Sequence, residues 1–147
     1  MLPRYHIILG FSFSLILYLI FPFVGLSGFL IIFFSSFLID VDHYLYYVFK
    51  KKDLNLKKAY KYFFEKRKKC ISSTKPLKEM PNPANYFLHG IEVLLVLFIF
   101  GIFVNKIFLF IFIGFSFHLF LDILEQIYYG FRIAKISLVY DFIKLKD

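Results

Sequence analysis

Lysine and arginine are missing from every apolar stretch of this chain, although the whole sequence carries 18 of them. The ionisable residues inside those stretches are Asp40, Asp42, His43, His89, Glu92, His118, Asp122 and Glu125, with His6 at the edge of the first. All four histidines of the protein belong to this set. A charged side chain near the middle of a membrane span costs roughly 2.5–3.5 kcal/mol, so such residues persist where they have partners. Five carboxylates with no basic residue nearby in sequence cannot pair with one another while ionised. The counter-ion this composition implies is a metal cation. Cysteine is also nearly absent: Cys70 stands alone in a polar stretch, which excludes an intrachain disulfide and a thiolate cluster. The chain has no G-x-S-x-G elbow, no glycine-rich phosphate loop, no H-E-x-x-H and no internal repeat.

What is abundant is apolar. The 147 residues are 60% hydrophobic with a mean hydropathy of +0.71, far from the balance of a soluble globular domain. Four spans are predicted, at about 7–24, 29–49, 86–104 and 107–129. Each approaches the roughly 20 residues that a bilayer requires. The expected fold is one all-α integral membrane domain, a four-helix bundle with interfacial amphipathic helices.

Charge sets the orientation. Between Lys50 and Glu79 lie eleven Lys and one Arg against three acids. A basic block beside a span is a topology and anionic-lipid signal rather than a nucleic-acid one. It places the loop 50–84, both termini and the tail 131–147 in the cytoplasm, with the chain in the cell (inner) membrane. Within the loop, residues 53–69 read as an amphipathic surface helix with Asp53 as N-cap. Apolar residues at three-to-four spacing in the tail predict a second interfacial helix.

With this orientation the polar residues converge. At 1.5 Å rise per residue, Asp42 and Asp122 lie about 10 Å below the cytoplasmic surface and His89 and Glu92 about 5–9 Å. His118 is one turn deeper than Asp122, and His6 is at the cytoplasmic start of the first span. On continuous helices, His89 and Glu92 share one face, as do His118, Asp122 and Glu125, and Asp40 with His43. Asp42 then points elsewhere.

Imidazoles and carboxylates on facing helices of a bundle are the ingredients of carboxylate-bridged metal sites. The predicted ligands are Asp42, His43, His89, His118, Asp122 and His6, with Glu92 or Asp40 as bridging ligand or general base. Glu125, near water, is expected to be solvated or to support a ligand. The ligand set suits one or two divalent ions, zinc above all, with Mn or Fe as alternatives. Two ions can activate water and clamp the oxygens of a phosphoester. A site so close to the surface can meet a lipid head group, so the expected activity is hydrolysis of a phospholipid or polyprenyl phosphoester. A divalent-metal or proton transporter is the alternative, and a non-catalytic anchor with a structural metal is the second alternative. Lipid is the expected partner, no nucleic acid is expected, and a homo-oligomer is compatible with the sequence.

The order of these residues resembles a family. An early His6, then Asp40-Val41-Asp42-His43, then His89 after a loop, then Gly114-x-x-x-His118-x-x-x-Asp122 in the last span is similar to the membrane-bound metal-dependent hydrolases of the YdjM type. The resemblance covers nearly the whole chain and implies a metal site on these positions. Ile39 stands where the family pattern has proline before Asp-x-Asp-His, and Leu88-His89-Gly90-Ile91 departs from its third element.

Overall fold

In a computed structural model, residues 3–72, 87–129 and Ser137 are described. The loop 73–86 and the remainder of the tail helix predicted at 131–147 lie outside the described residues. Among the described residues six helices follow one another: α1 (Pro3–Ile20), α2 (Gly25–Leu38), α3 (Val41–Lys51), α4 (Leu56–Ser72), α5 (Ile91–Phe103) and α6 (Ile107–Tyr128). Short 3-10 turns precede α2 (Pro22–Val24) and α5 (Phe87–His89). No strand occurs among the described residues.

Among the described residues three helical segments are long and apolar enough to cross a membrane: Pro3–Ile20, Pro22–Lys51 and Ile107–Tyr128. The fourth apolar helix, α5, has 13 residues and so spans roughly 20 Å. It starts later than the predicted boundary at 86, because Gly90 takes an extended conformation as its N-cap. Tight apposition at Gly101, where an added Cβ would meet Leu109 at 2.5 Å, folds α5 back onto α6. Asn105 caps the turn by accepting the Ile107 N–H at 2.9 Å.

The burial pattern is that of a protein in lipid. Leu19, Phe23, Phe49 and Phe103 are 71–80% exposed, whereas His6, Ser14, Ser36 and His118 are at most 1% exposed. Water would penalise such an apolar exterior and such a polar interior. A bilayer favours both. Apolar packing gathers at the end of the bundle beside the first turn, where Val24, Ile32 and Phe110 meet Phe13, Leu17, Ile31 and Ile113. Phe13 stacks on Phe117 with centroids 4.0 Å apart.

α2 packs against both α1 and α6 through small residues. A Cβ on Gly10 would come within 2.0 Å of Ser36 Oγ, and one on Gly114 within 1.9 Å of Ser35 Oγ and 2.7 Å of the Ile32 carbonyl. Small residues let helix backbones approach closely in membranes, where no hydrophobic force drives helices together. Three of these four positions are four residues from an ionisable one: Gly10 from His6, Ser36 from Asp40, Gly114 from His118.

The second span is not one helix. α2 ends at Leu38 and α3 begins at Val41, with Ile39 and Asp40 in a turn. The Asp40 N–H donates to Phe37 (3.2 Å) and the His43 N–H to Asp40 (3.0 Å), so the ladder tightens to i→i−3 bonding.

The amphipathic helix predicted at 53–69 is α4, and it runs on to Ser72. Its cap is Asn55 rather than Asp53: Asn55 Oδ1 accepts the Lys58 N–H at 3.1 Å. Asp53 instead accepts the Asn55 N–H at 2.9 Å and pairs with Lys58 at 3.0 Å. The Asn55 N–H and the Lys58 ammonium hold the Asp53 carboxyl below its ordinary range. α4 packs on α3 through Tyr62 against Tyr47 and Phe63 against His43.

Candidate metal centre

The break after Leu38 decides the geometry of the centre. An i→i−3 bond takes the Asp40 N–H to Phe37, so the Ser36 carbonyl loses its usual helical donor. The ring of His118 from α6 supplies a replacement: its Nδ1–H donates to the Ser36 carbonyl at 2.8 Å. A side chain inserted into the ladder is a recognised cause of a helix break, and neither Pro nor Gly is present here. The same bond fixes the tautomer of His118 and leaves Nε2 as a lone-pair donor.

His89 is oriented in a similar way. It closes the 3-10 turn before α5, and its Nδ1–H donates to Asp42 Oδ2 at 2.8 Å. The Leu88 N–H donates to the same oxygen at 3.3 Å. Because His89 lies before α5 and Glu92 in its first turn, they do not share a helix face as predicted. The turn at Ile39–Asp40 likewise removes the predicted divergence of Asp40 and Asp42. Both reach His89, Asp42 through Nδ1 and Asp40 Oδ1 at 3.9 Å from Nε2.

Among the described residues two groups of side chains present ligand atoms within 4.8 Å of one another: His6, His118 and Asp122, and Asp40, His43 and His89. In the first, Asp122 lies 3.3 Å from His6 Nε2 and 3.2 Å from His118 Nε2. The His6 and His118 rings stack with centroids 3.9 Å apart. In the second, His43 Nε2 is 3.4 Å from Asp40 Oδ1. Ligands bound roughly 2.0–2.1 Å from a tetrahedral centre stand about 3.3–3.4 Å apart, so these spacings match the edge of a coordination polyhedron.

The donor atoms fit a metal on a second count. Both ring nitrogens of His6, Nε2 of His118 and Oδ2 of Asp40 are buried without a hydrogen-bond partner among the described residues. Buried polar atoms are seldom left so, because each forfeits its hydration. A cation within the groups would satisfy them.

Other predicted residues stand apart from the two groups. Asp42 is 4% exposed and lies behind His89 as the acceptor for its ring. Replacing it with Asn is expected to weaken metal binding roughly 10–100-fold, the usual effect of losing a carboxylate behind a ligating histidine. Competition titration with a chromogenic chelator checks this. Glu92 accepts a hydrogen bond from the Ser137 hydroxyl at 2.5 Å and belongs to neither group.

Glu125 corrects the expectation that no basic residue stands beside these carboxylates. Arg67 of α4 donates to it through Nε at 3.1 Å and also through its Nη2. The Arg67 guanidinium lies 5.6 Å from the Tyr129 ring centroid as well. Hydropathy could not reveal this partner, because it comes from 58 residues away and from a surface helix. Sequence reasoning also missed Ser36, whose contribution is a backbone carbonyl. Its only trace is the small residue one turn before Asp40.

In comparisons with known proteins, no family model, no curated protein and no solved structure matches this chain.

Proposed function

We propose that this protein is a membrane-embedded, metal-dependent hydrolase that cleaves a phosphoester of a lipid or polyprenyl phosphate. The observation that carries the reading is the set of four imidazoles and two aspartates spaced as ligands among apolar helices. Such donors favour zinc, with Mn or Fe as alternatives. When bound, a divalent ion supplies a polarised phosphoryl oxygen and water of lowered pKa.

The residues have separable tasks in this reading. His6, His118 and Asp122 hold metal, as do Asp40, His43 and His89. Asp42 and the Ser36 carbonyl keep the rings of His89 and His118 turned toward it. Asp40 also offers Oδ2, a buried oxygen with no hydrogen-bond partner among the described residues, to accept a proton. The apolar walls exclude bulk water and favour an acyl or prenyl tail.

The YdjM-type resemblance supports the same class, since its specific elements, Asp-x-Asp-His and His-x-x-x-Asp, supply four of these six ligands and the histidines at His6 and His89 the other two. The basic block Lys50–Glu79 favours an inner-membrane protein with cytoplasmic termini and the site in the inner half of the bilayer. α5 together with the turn at Phe87–His89 then serves as the fourth span. Lys57, Lys61 and Lys66 on α4 attract anionic lipid.

The test is metal analysis of the purified protein, followed by release of phosphate or head group from a panel of phospholipids and polyprenyl phosphates in mixed micelles. Stoichiometric transition metal with turnover is expected. Retained metal without turnover on any lipid phosphate would favour the structural-metal reading, and metal flux into liposomes the transporter.

A further inference from the structure

We infer that the centre holds two metal ions bridged by Asp40 and Asp122, one locked between the long helices and one exchangeable at the opening. The inference rests on the metal reading above and goes beyond it in number, ligand division and role.

The bridging is geometric. Asp40 belongs with His43 and His89, yet its Oδ1 is 3.6 Å from Nε2 of His118 in the other group. Asp122 belongs with His6 and His118, yet its Oδ2 is 3.9 Å from Nε2 of His89. Each carboxylate thus faces an imidazole of both groups. A single ion about 2.0–2.1 Å from its ligands would have to draw six side chains from five segments onto one point. Two ions require of each group only its own three ligands and the shared carboxylates.

Charge supports the same count. Three carboxylates, Asp40, Asp42 and Asp122, surround neutral imidazoles, while Glu125 is paired with Arg67. One divalent ion leaves the centre with a net negative charge, which repels a phosphoester. Two leave it one positive charge, which attracts an anion.

The two groups are not equivalent. His6 and His118 are 0% exposed and come from α1 and α6, whose approach is fixed by packing against α2. The two carboxylates are alike, Asp122 17% and Asp40 16% exposed, but His43 is 26% exposed and its partner His89, itself 2% exposed, sits on a turn rather than a helix. The first ion is enclosed by rigid helices. The second lies on the exposed side, where a phosphoryl oxygen can reach it.

The test is metal content and spectroscopy of the full chain in detergent. Wild type loaded with excess zinc and freed of unbound metal by gel filtration is expected to keep two equivalents per chain, and His43→Ala one. Loaded with Mn(II), wild type is expected to give the exchange-coupled spectrum of a bridged pair in electron paramagnetic resonance, and His43→Ala the six-line signal of an isolated ion. Wild type serves as its own check should the variant misfold. One equivalent in wild type with an uncoupled signal would overturn the two-ion centre and leave a one-metal hydrolase standing. No bound metal at all would overturn both.

Discussion

Replacing His118 with alanine is expected to lower zinc affinity at the His6, His118 and Asp122 group about a hundredfold or more and to cut the thermal stabilisation that zinc confers. Apparent binding free energies of roughly 10–16 kcal/mol shared among about four ligands give on the order of 3 kcal/mol for each. His118 contributes more than its own nitrogen. Its ring fills a space with 0% exposure, stacks on His6 and donates to the Ser36 carbonyl. Truncation therefore leaves a cavity, an unsatisfied carbonyl in a broken helix and a His6 ring without its stacking partner. Stability linked to a ligand grows as RT ln(1 + [L]/Kd), so a hundredfold loss of affinity removes about 2.7 kcal/mol at a fixed excess of metal. The measurement is the unfolding temperature in detergent with zinc and with chelator. Wild type is expected to differ between the two conditions, and His118→Ala to differ by less, since only the Asp40, His43 and His89 group is left to hold zinc.

The second large effect is expected at a residue that binds nothing. Gly114→Leu should abolish metal retention and destabilise the protein by more than the ~1–3 kcal/mol usual for overpacking. A Cβ at position 114 would already stand 2.7 Å from the Ile32 carbonyl, a backbone atom that cannot turn aside. α6 must then move away from α2, and His118 one turn on moves with it, away from Ser36. Gly25→Ala is the control. Gly25 has φ +56 but nothing within 4 Å of an added Cβ, so that substitution strains one turn and should leave metal content unchanged. Zinc per chain in the two variants, beside their unfolding temperatures, separates a packing effect that reaches the centre from one that does not.

The sequence made the ligand types legible because lipid makes them expensive. His118 and Asp122 lie on one face at i, i+4 of a long helix, and the structure keeps them so, 3.2 Å apart. The helical class and three of the four predicted spans were legible in the long apolar runs, whereas the predicted span at 86–104 is a helix of only 13 residues. Local reasoning failed where a distant partner changed the backbone. Nothing near Ile39 breaks a helix by propensity; the Ser36 carbonyl is drawn to a ring 82 residues away. That displacement brings Asp40 and Asp42 both to the His89 ring, one at each nitrogen, where a straight helix would point them apart. The cap at Asn55 was misassigned to Asp53 because both residue types cap helices and their two-residue offset is within the error of any boundary. Arg67 lay in a basic run whose average character concealed the one member that reaches Glu125.

The close approaches of Gly10 to Ser36 and of Gly114 to Ser35 also constrain how such a chain can diverge. Each pair shares one small volume between two positions on different helices. A methyl group gained on one side has room only if the hydroxymethyl on the other is lost, and the intermediate with both enlarged pushes the ligand helices apart. Drift at these sites must therefore proceed by shrinkage first and growth second. The paired positions would change together across descendants, although none of the four side chains takes part in the chemistry.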